Sequence, residues 1–199
     1  MSRAERLGVF GGTFDPVHVG HLIMAQEALG KLRLDRILFV PAARPAHKRS
    51  RAIASAAHRV AMLRLALRGA PQFEVSTLEV DRGGVSFTVD TLESLARRAA
   101  PSLYFVMGQD SLDDFPTWRD PERIARLARL AVVPRGDGRL PRIRPELRGR
   151  VSLLDPPRIG ISSSEIRRRL RHGLSVRWWM PDAALRYAIE KGLYGSRRG

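Results

Sequence analysis

Cysteine is absent from the 199 residues. That excludes disulfides, thiolate-held zinc and a cysteine nucleophile. Long apolar runs are missing as well: none approaches the ~20 residues that a membrane-spanning helix needs. The opening stretch "MSRAERLGVFGG" has neither the apolar core nor the cleavage pattern of a secretory signal. A cytoplasmic protein without a membrane partner is therefore expected. Lysine occurs only at positions 31, 48 and 191, and acids number 20 against 35 basic residues. The resulting formal charge of +15 favours anionic ligands such as nucleic acid, anionic membranes or phosphorylated small molecules. Arginine, dispersed along the chain, supplies nearly all of it, so the charge also reads as a compositional bias. No cluster of aromatics stands among basic residues to stack bases, which argues against a nucleic-acid-binding module.

What is present describes a folded globular chain, 44% hydrophobic and 28% charged. Short apolar runs, Arg6–Phe10, Arg36–Pro41, Phe73–Val80, Ser102–Gly108, Arg129–Pro134 and Arg150–Leu154, read as strands. Between them lie helical patterns: Gly20–Lys31, a face of Val60, Leu63 and Leu67, and a face of Val89, Leu92 and Ala96. Strands alternating with helices predict an α/β fold, a parallel sheet with helices on both faces. Ligands of such sheets sit beyond the carboxyl ends of strands, where the winding reverses. Gly11-Gly12, Pro41, Gly108 and Pro134 mark such ends. Neither a repeat nor a linker divides the chain, so one domain over residues 1–199 is expected, with a small C-terminal helical portion at about 160–195. The Gly/Pro/Arg-rich stretch Arg135–Arg150 reads as an exposed excursion.

The densest chemistry is "GGTFDPVHVGHL", Gly11–Leu22. His18 and His21 share a helix face and could be metal ligands with Asp15, yet no third ligand is obviously placed. They could be acid–base groups or structural histidines. A phosphate site accounts for more of the stretch, because a strand-to-helix turn offers backbone N–H groups and a helix dipole. Gly11 and Gly12 allow close approach of an anion, and Gly20 removes a side chain between the imidazoles. A second turn of this kind is "GISSSEIRRRL", Gly160–Leu170. There Ser162 and Glu165 form a capping box, and Arg167 can bond a phosphate bidentately.

The pairing of GGTFDPVHVGH with ISSSEIRRRL resembles the HxGH nucleotidyltransferase superfamily, adenylyl and cytidylyl transferases on a Rossmann-like, doubly wound sheet. Three further stretches, "MGQDSLDDFPTWRDPERI", "DRGGVSFTVDTL" and "MPDAALRYAIEKGLYG", narrow the resemblance to the bacterial nicotinate-nucleotide adenylyltransferases over about Leu7–Tyr194. The resemblance implies transfer of AMP from ATP to nicotinate mononucleotide, giving deamido-NAD and pyrophosphate in NAD biosynthesis, with Mg²⁺ accompanying ATP. The same chemistry with nicotinamide mononucleotide is the nearest alternative. It implies catalytic roles for His18, His21 and Arg167. It places Gly11, Gly12, Thr13, Phe14, Lys48, Gly108, Asp110, Ile161, Ser162 and Ser163 around ATP, with Asp110 a candidate for ribose or magnesium contact. His47, Thr88, Trp118 and Arg135 would face the mononucleotide, Trp118 stacking on its ring. The chain departs from the family pattern at Ala42, where asparagine is usual, at Ala46, and at Phe87, where tyrosine is usual and a hydroxyl is lost. Oligomeric state is not implied.

Overall fold

The computed structural model describes residues 4–45, 54–99, 102–134, 141–157 and 159–196. His47, Lys48 and Arg135 lie outside them. Among the described residues eight strands occur: β1 (Arg6–Gly12), β2 (Arg36–Pro41), β3 (Arg44–Pro45), β4 (Phe73–Val75), β5 (Val85–Ser86), β6 (Ser102–Gly108), β7 (Ala128–Val133) and β8 (Val151–Leu153). The helices are α1 (Val19–Lys31), α2 (Ala56–Ala66), α3 (Leu78–Arg82), α4 (Thr88–Ala99), α5 (Gln109–Asp113), α6 (Pro121–Leu127), α7 (Ser163–Arg171) and α8 (Asp182–Glu190).

Six strands form one sheet in the order β4-β2-β1-β6-β7-β8, and every pairing is parallel. The chain winds from β1 outward to β4, then returns to lay β6 against β1. The winding thus reverses between the carboxyl ends of β1 and β6, which opens a crevice there. The expected α/β, doubly wound architecture is observed.

Both faces of the sheet are buried, which is why its strands read as nearly continuous apolar runs. Phe10, Ile37, Phe39, Tyr104 and Val106 pack on one side with Ala25 and Ala28 of α1, Met62 and Leu63 of α2, Ile166 of α7 and Ala184 of α8. The C-terminal helices therefore share a core with the sheet. On the other side, Val9, Leu38, Val40, Phe105 and Met107 meet Leu92 of α4 and Ile124 of α6.

One sequence expectation is corrected. The strand foreseen over Phe73–Val80 ends at Val75, and Leu78–Arg82 turns into a short helix. Ser76 and Thr77 explain the break, because their side chains offer the backbone an alternative to the ladder. Ser76 Oγ accepts from the Leu78 amide, and the Thr77 hydroxyl donates to Asp81 Oδ2 at 2.7 Å.

Candidate active site

The turn after β1 is built on aromatic rings. Phe14 adopts a left-handed backbone (φ 50°), a strained choice for a bulky side chain. Its ring, 1% exposed, is held by edge contacts with Phe10 at 5.5 Å and with the His21 imidazole at 5.0 Å. The Phe14 side chain is thus core, so a place beside a nucleotide falls to its backbone. The glycine at 12 has a packing reason too: a Cβ there would lie 2.9 Å from the Phe14 ring.

His18 caps α1 in an extended conformation, and its amide donates to His21 Nδ1 at 3.2 Å. That bond fixes the tautomer of a neutral His21, with the proton on Nε2. The two imidazoles stack, centroids 3.7 Å apart. His18 is buried, and burial lowers its pKa from 6.5 to about 4. At neutral pH it is an uncharged ring. Its buried Nδ1 has no hydrogen-bond partner among the described residues. A Cβ at Gly20 would stand 3.0 Å from that nitrogen, so the glycine between the histidines keeps the stack in place. The amides at the start of α1 are less available than expected: that of His18 is used by His21, and that of Val19 by the Trp179 carbonyl at 3.0 Å.

The start of α7 meets this turn directly. Ser163 Oγ donates to the Pro16 carbonyl at 2.9 Å, and Arg167 Nη1 donates to the Asp15 carbonyl at 2.6 Å. Ile159 approaches the Gly20 position at 3.8 Å. The serine hydroxyl and one guanidinium nitrogen therefore serve first to lock the two helix starts together. Ser162 caps α7 by accepting from the Glu165 amide. The reciprocal half of the expected capping box is replaced, because the Glu165 carboxylate takes two bonds from Arg168, at 2.6 and 2.7 Å. Ile161 packs against the core.

Asp15 is the hub beneath the turn. It is 2% exposed, and its Oδ1 accepts from the Ala54 amide and from the Tyr194 hydroxyl at 2.7 Å. Arg167 Nη1 stands 3.7 Å from Oδ2. Burial, with the Asp15 charge beside it, pushes the Tyr194 phenol far above its ordinary value, so it remains a donor. A metal role for Asp15 with the two histidines is not supported, since no group of three or more potential ligands occurs among the described residues.

Arg59 of α2, which sequence reasoning did not single out, is 1% exposed. Its guanidinium donates to four carbonyls: Ala54 at 3.0 Å, Thr13 at 2.9 Å, Ala42 at 2.7 Å and Ala43 at 3.1 Å. It thereby ties the turn after β1 to the loop after β2. Burial lowers its pKa, with Asp15 opposing the shift.

Beside Thr13 a cavity of about 440 Å³ opens over the carboxyl ends of β1 and β6. It gathers Gly11, Gly12, Thr13, Thr88, Asp110 and Trp118 from distant parts of the chain. Trp118 meets Phe105 edge-on at 5.9 Å and Phe115 at 5.6 Å, leaving it at the cavity wall. Gly108 caps α5, on which Asp110 sits in the first turn. Buried Glu79 lines the cavity as well and accepts from Thr91 Oγ1 at 2.6 Å. Nothing in the local sequence marked it, since its partner lies on another helix. His18, His21, Ser162, Ser163 and Arg167 stand outside this cavity, at the adjoining pair of helix starts, and the Gly11–Thr13 backbone connects the two regions.

Comparisons with known proteins give the family and the fold. Residues 9–169 match the family model described as cytidylyltransferase-like. A protein of Thermus thermophilus named probable nicotinate-nucleotide adenylyltransferase is 48% identical over 95% of this chain and 99% of its own. One of the same name from Thermomicrobium roseum is 46% identical over 96% of this chain and 92% of its own. Among solved structures, a Plasmodium falciparum nicotinic acid mononucleotide adenylyltransferase complexed with NaAD superposes with a TM-score of 0.80. It covers 97% of this chain and 98% of its own at 19% identity, a likeness of fold.

Proposed function

The chain belongs to the cytidylyltransferase-like family and, within it, to the nicotinate-nucleotide adenylyltransferases, and from that membership we propose how its own residues perform the reaction. It transfers AMP from ATP to nicotinate mononucleotide, giving deamido-NAD and pyrophosphate, and the whole chain works as one catalytic domain. An oxygen of the mononucleotide phosphate attacks the α-phosphorus of ATP; the bond to the β-phosphate oxygen breaks, and pyrophosphate carries away the electron pair. The attacking oxygen is already anionic, so positioning and charge neutralisation rather than base catalysis supply the acceleration.

His21, held by the His18 amide with its proton on Nε2, donates to the phosphoryl oxygens as charge develops. His18 stacks against it as a neutral ring and limits its movement. The backbone of Gly11–Phe14 with Thr13 cradles the triphosphate. The start of α7 with Ser162, Ser163 and Arg167 faces the leaving phosphates. Ile161 supports that turn from the core. Trp118 stacks on the acceptor ring, and Thr88 faces its carboxylate. Gly108 and Asp110 lie beside the nucleotide ribose. Asp110 would be the residue to contact a divalent cation accompanying ATP, Mg²⁺ in this reading, which would supply charge neutralisation of the triphosphate.

One observation carries the proposal: the starts of α1 and α7 are bonded together, Ser163 to Pro16 and Arg167 to Asp15, next to a cavity of mononucleotide size. The test is incubation with ATP, Mg²⁺ and nicotinate mononucleotide, measuring pyrophosphate and dinucleotide. Equal yields of both are expected, with His21→Ala lowering kcat by ~10²–10³ while the KM for ATP stays within a few-fold. No dinucleotide from the parent protein overturns the function. Near-normal turnover by His21→Ala overturns the role of that imidazole.

A further inference from the structure

The charges around the cavity pose a problem for an acceptor that carries a carboxylate on its ring. Its described lining residues include three acids, Glu79, Asp110 and Asp114, against a single cation, Arg119. An anionic ring substituent entering such a site meets net negative charge unless Arg119 faces it. Resting on the function proposed above, we propose that the Arg119 side chain is the specificity-determining group that pairs with the ring carboxylate of the acceptor and disfavours the uncharged amide.

Three local observations place the guanidinium for this task. Arg119 directly follows Trp118, so ring stacking and carboxylate pairing fall to adjacent residues of one segment. Its guanidinium carbon lies 4.8 Å from the centre of the Phe87 ring, and Phe87 directly precedes Thr88; both line the cavity. The aromatic face thus holds the cation at the wall, a use for which phenylalanine serves without a hydroxyl. The present partner of the cation is Asp90 Oδ2 at 3.6 Å, with the side chains 58% and 36% exposed. An exposed pair of that length is weak, so the guanidinium can turn a donor edge to an incoming carboxylate and keep its stack on Phe87. Arginine suits this because its planar fork bonds a carboxylate through two nitrogens while its face remains on the ring.

Pairing with the acceptor phosphate is the competing role, and the two are separable because nicotinate and nicotinamide mononucleotides share that phosphate. The experiment compares kcat/KM for both acceptors in the parent enzyme, Arg119→Met and Arg119→Lys, with thermal midpoint and the KM for ATP as controls on folding. The parent enzyme is expected to prefer nicotinate. Arg119→Met is expected to lower the nicotinate-to-nicotinamide ratio of kcat/KM by about 10- to 100-fold, with Arg119→Lys intermediate. A ratio unchanged by Arg119→Met, whether because both reactions persist or because both fall together, overturns the assignment. A parent enzyme that uses neither acceptor overturns instead the function on which it rests.

Discussion

Replacing Arg59 by methionine removes a buried cation together with every bond it makes, while keeping much of the aliphatic volume. Four main-chain carbonyls, of Thr13, Ala42, Ala43 and Ala54, lose their donor at once. A hydrogen bond from a charged donor nets ~1.5–3 kcal/mol, and part of that is offset because the desolvated guanidinium is no longer buried. At about 1 kcal/mol per bond after that offset, the loss is about 4 kcal/mol. That is a large share of a total stability of ~5–15 kcal/mol. For a chain of this length each kcal/mol moves the thermal midpoint by ~2–4 °C, so a fall of about 8–16 °C is expected. Urea unfolding should give the same loss with an unchanged slope. Arg59→Lys, with three donors on a point charge, should recover only part of it. Because Thr13 and Ala42 both line the cavity, the KM for the mononucleotide should rise in both variants. An Arg59→Met protein within about 1 kcal/mol of the parent would show that the carbonyls find other donors, and would refute the clamp.

Two further outcomes test the histidine stack. Gly20→Ala should leave the fold within about 1 kcal/mol of the parent, since alanine suits a helix better than glycine. Its Cβ, 3.0 Å from His18 Nδ1, should displace the stacked ring and lower kcat at least ~10-fold; unchanged turnover counts against the stack. The pH dependence of stability tests the state of His18, whose pKa falls from 6.5 to about 4 on folding. Below pH 6.5 the unfolded chain takes up a proton that the folded chain refuses until about pH 4. This contribution is therefore intact above 6.5 and is lost as pH falls through that window, up to about 3 kcal/mol. Urea midpoints at pH 7, 5 and 4 should fall more steeply for the parent than for His18→Gln; parallel curves would place the imidazole in water.

How far the sequence discloses this molecule depends on how far each contact reaches along the chain. β1, β2, β6 and β7 were legible because a strand buried on both faces must be a short apolar run, and Gly12 and Gly108 punctuate two of them. The stretch after Phe73 misled because Leu78 and Val80 resume an alternating pattern beyond Val75, whereas the side chains of Ser76 and Thr77 end the ladder between them. The residues nominated for the site, Thr13, Thr88, Asp110 and Trp118, do meet at one cavity. Arg59 escaped notice because a single arginine on a helix looks solvated, and its four acceptors lie on three separate segments. The motif draws attention to Phe14 without disclosing that its ring is the floor on which His21 rests.

The ties that gather at Asp15 span most of the chain: Arg167 bonds its carbonyl from 152 positions away, and the Tyr194 hydroxyl reaches its carboxylate from 179. Sheet pairing between β1 and β2 can form early, when only nearby residues have emerged, but the reactive turn cannot be finished until the distal helices arrive. A product cut short before Tyr194 would keep its strands and lose the fastening under its histidines. The chemistry of an amino-terminal turn is thereby made to depend on contacts supplied by Arg167 and Tyr194.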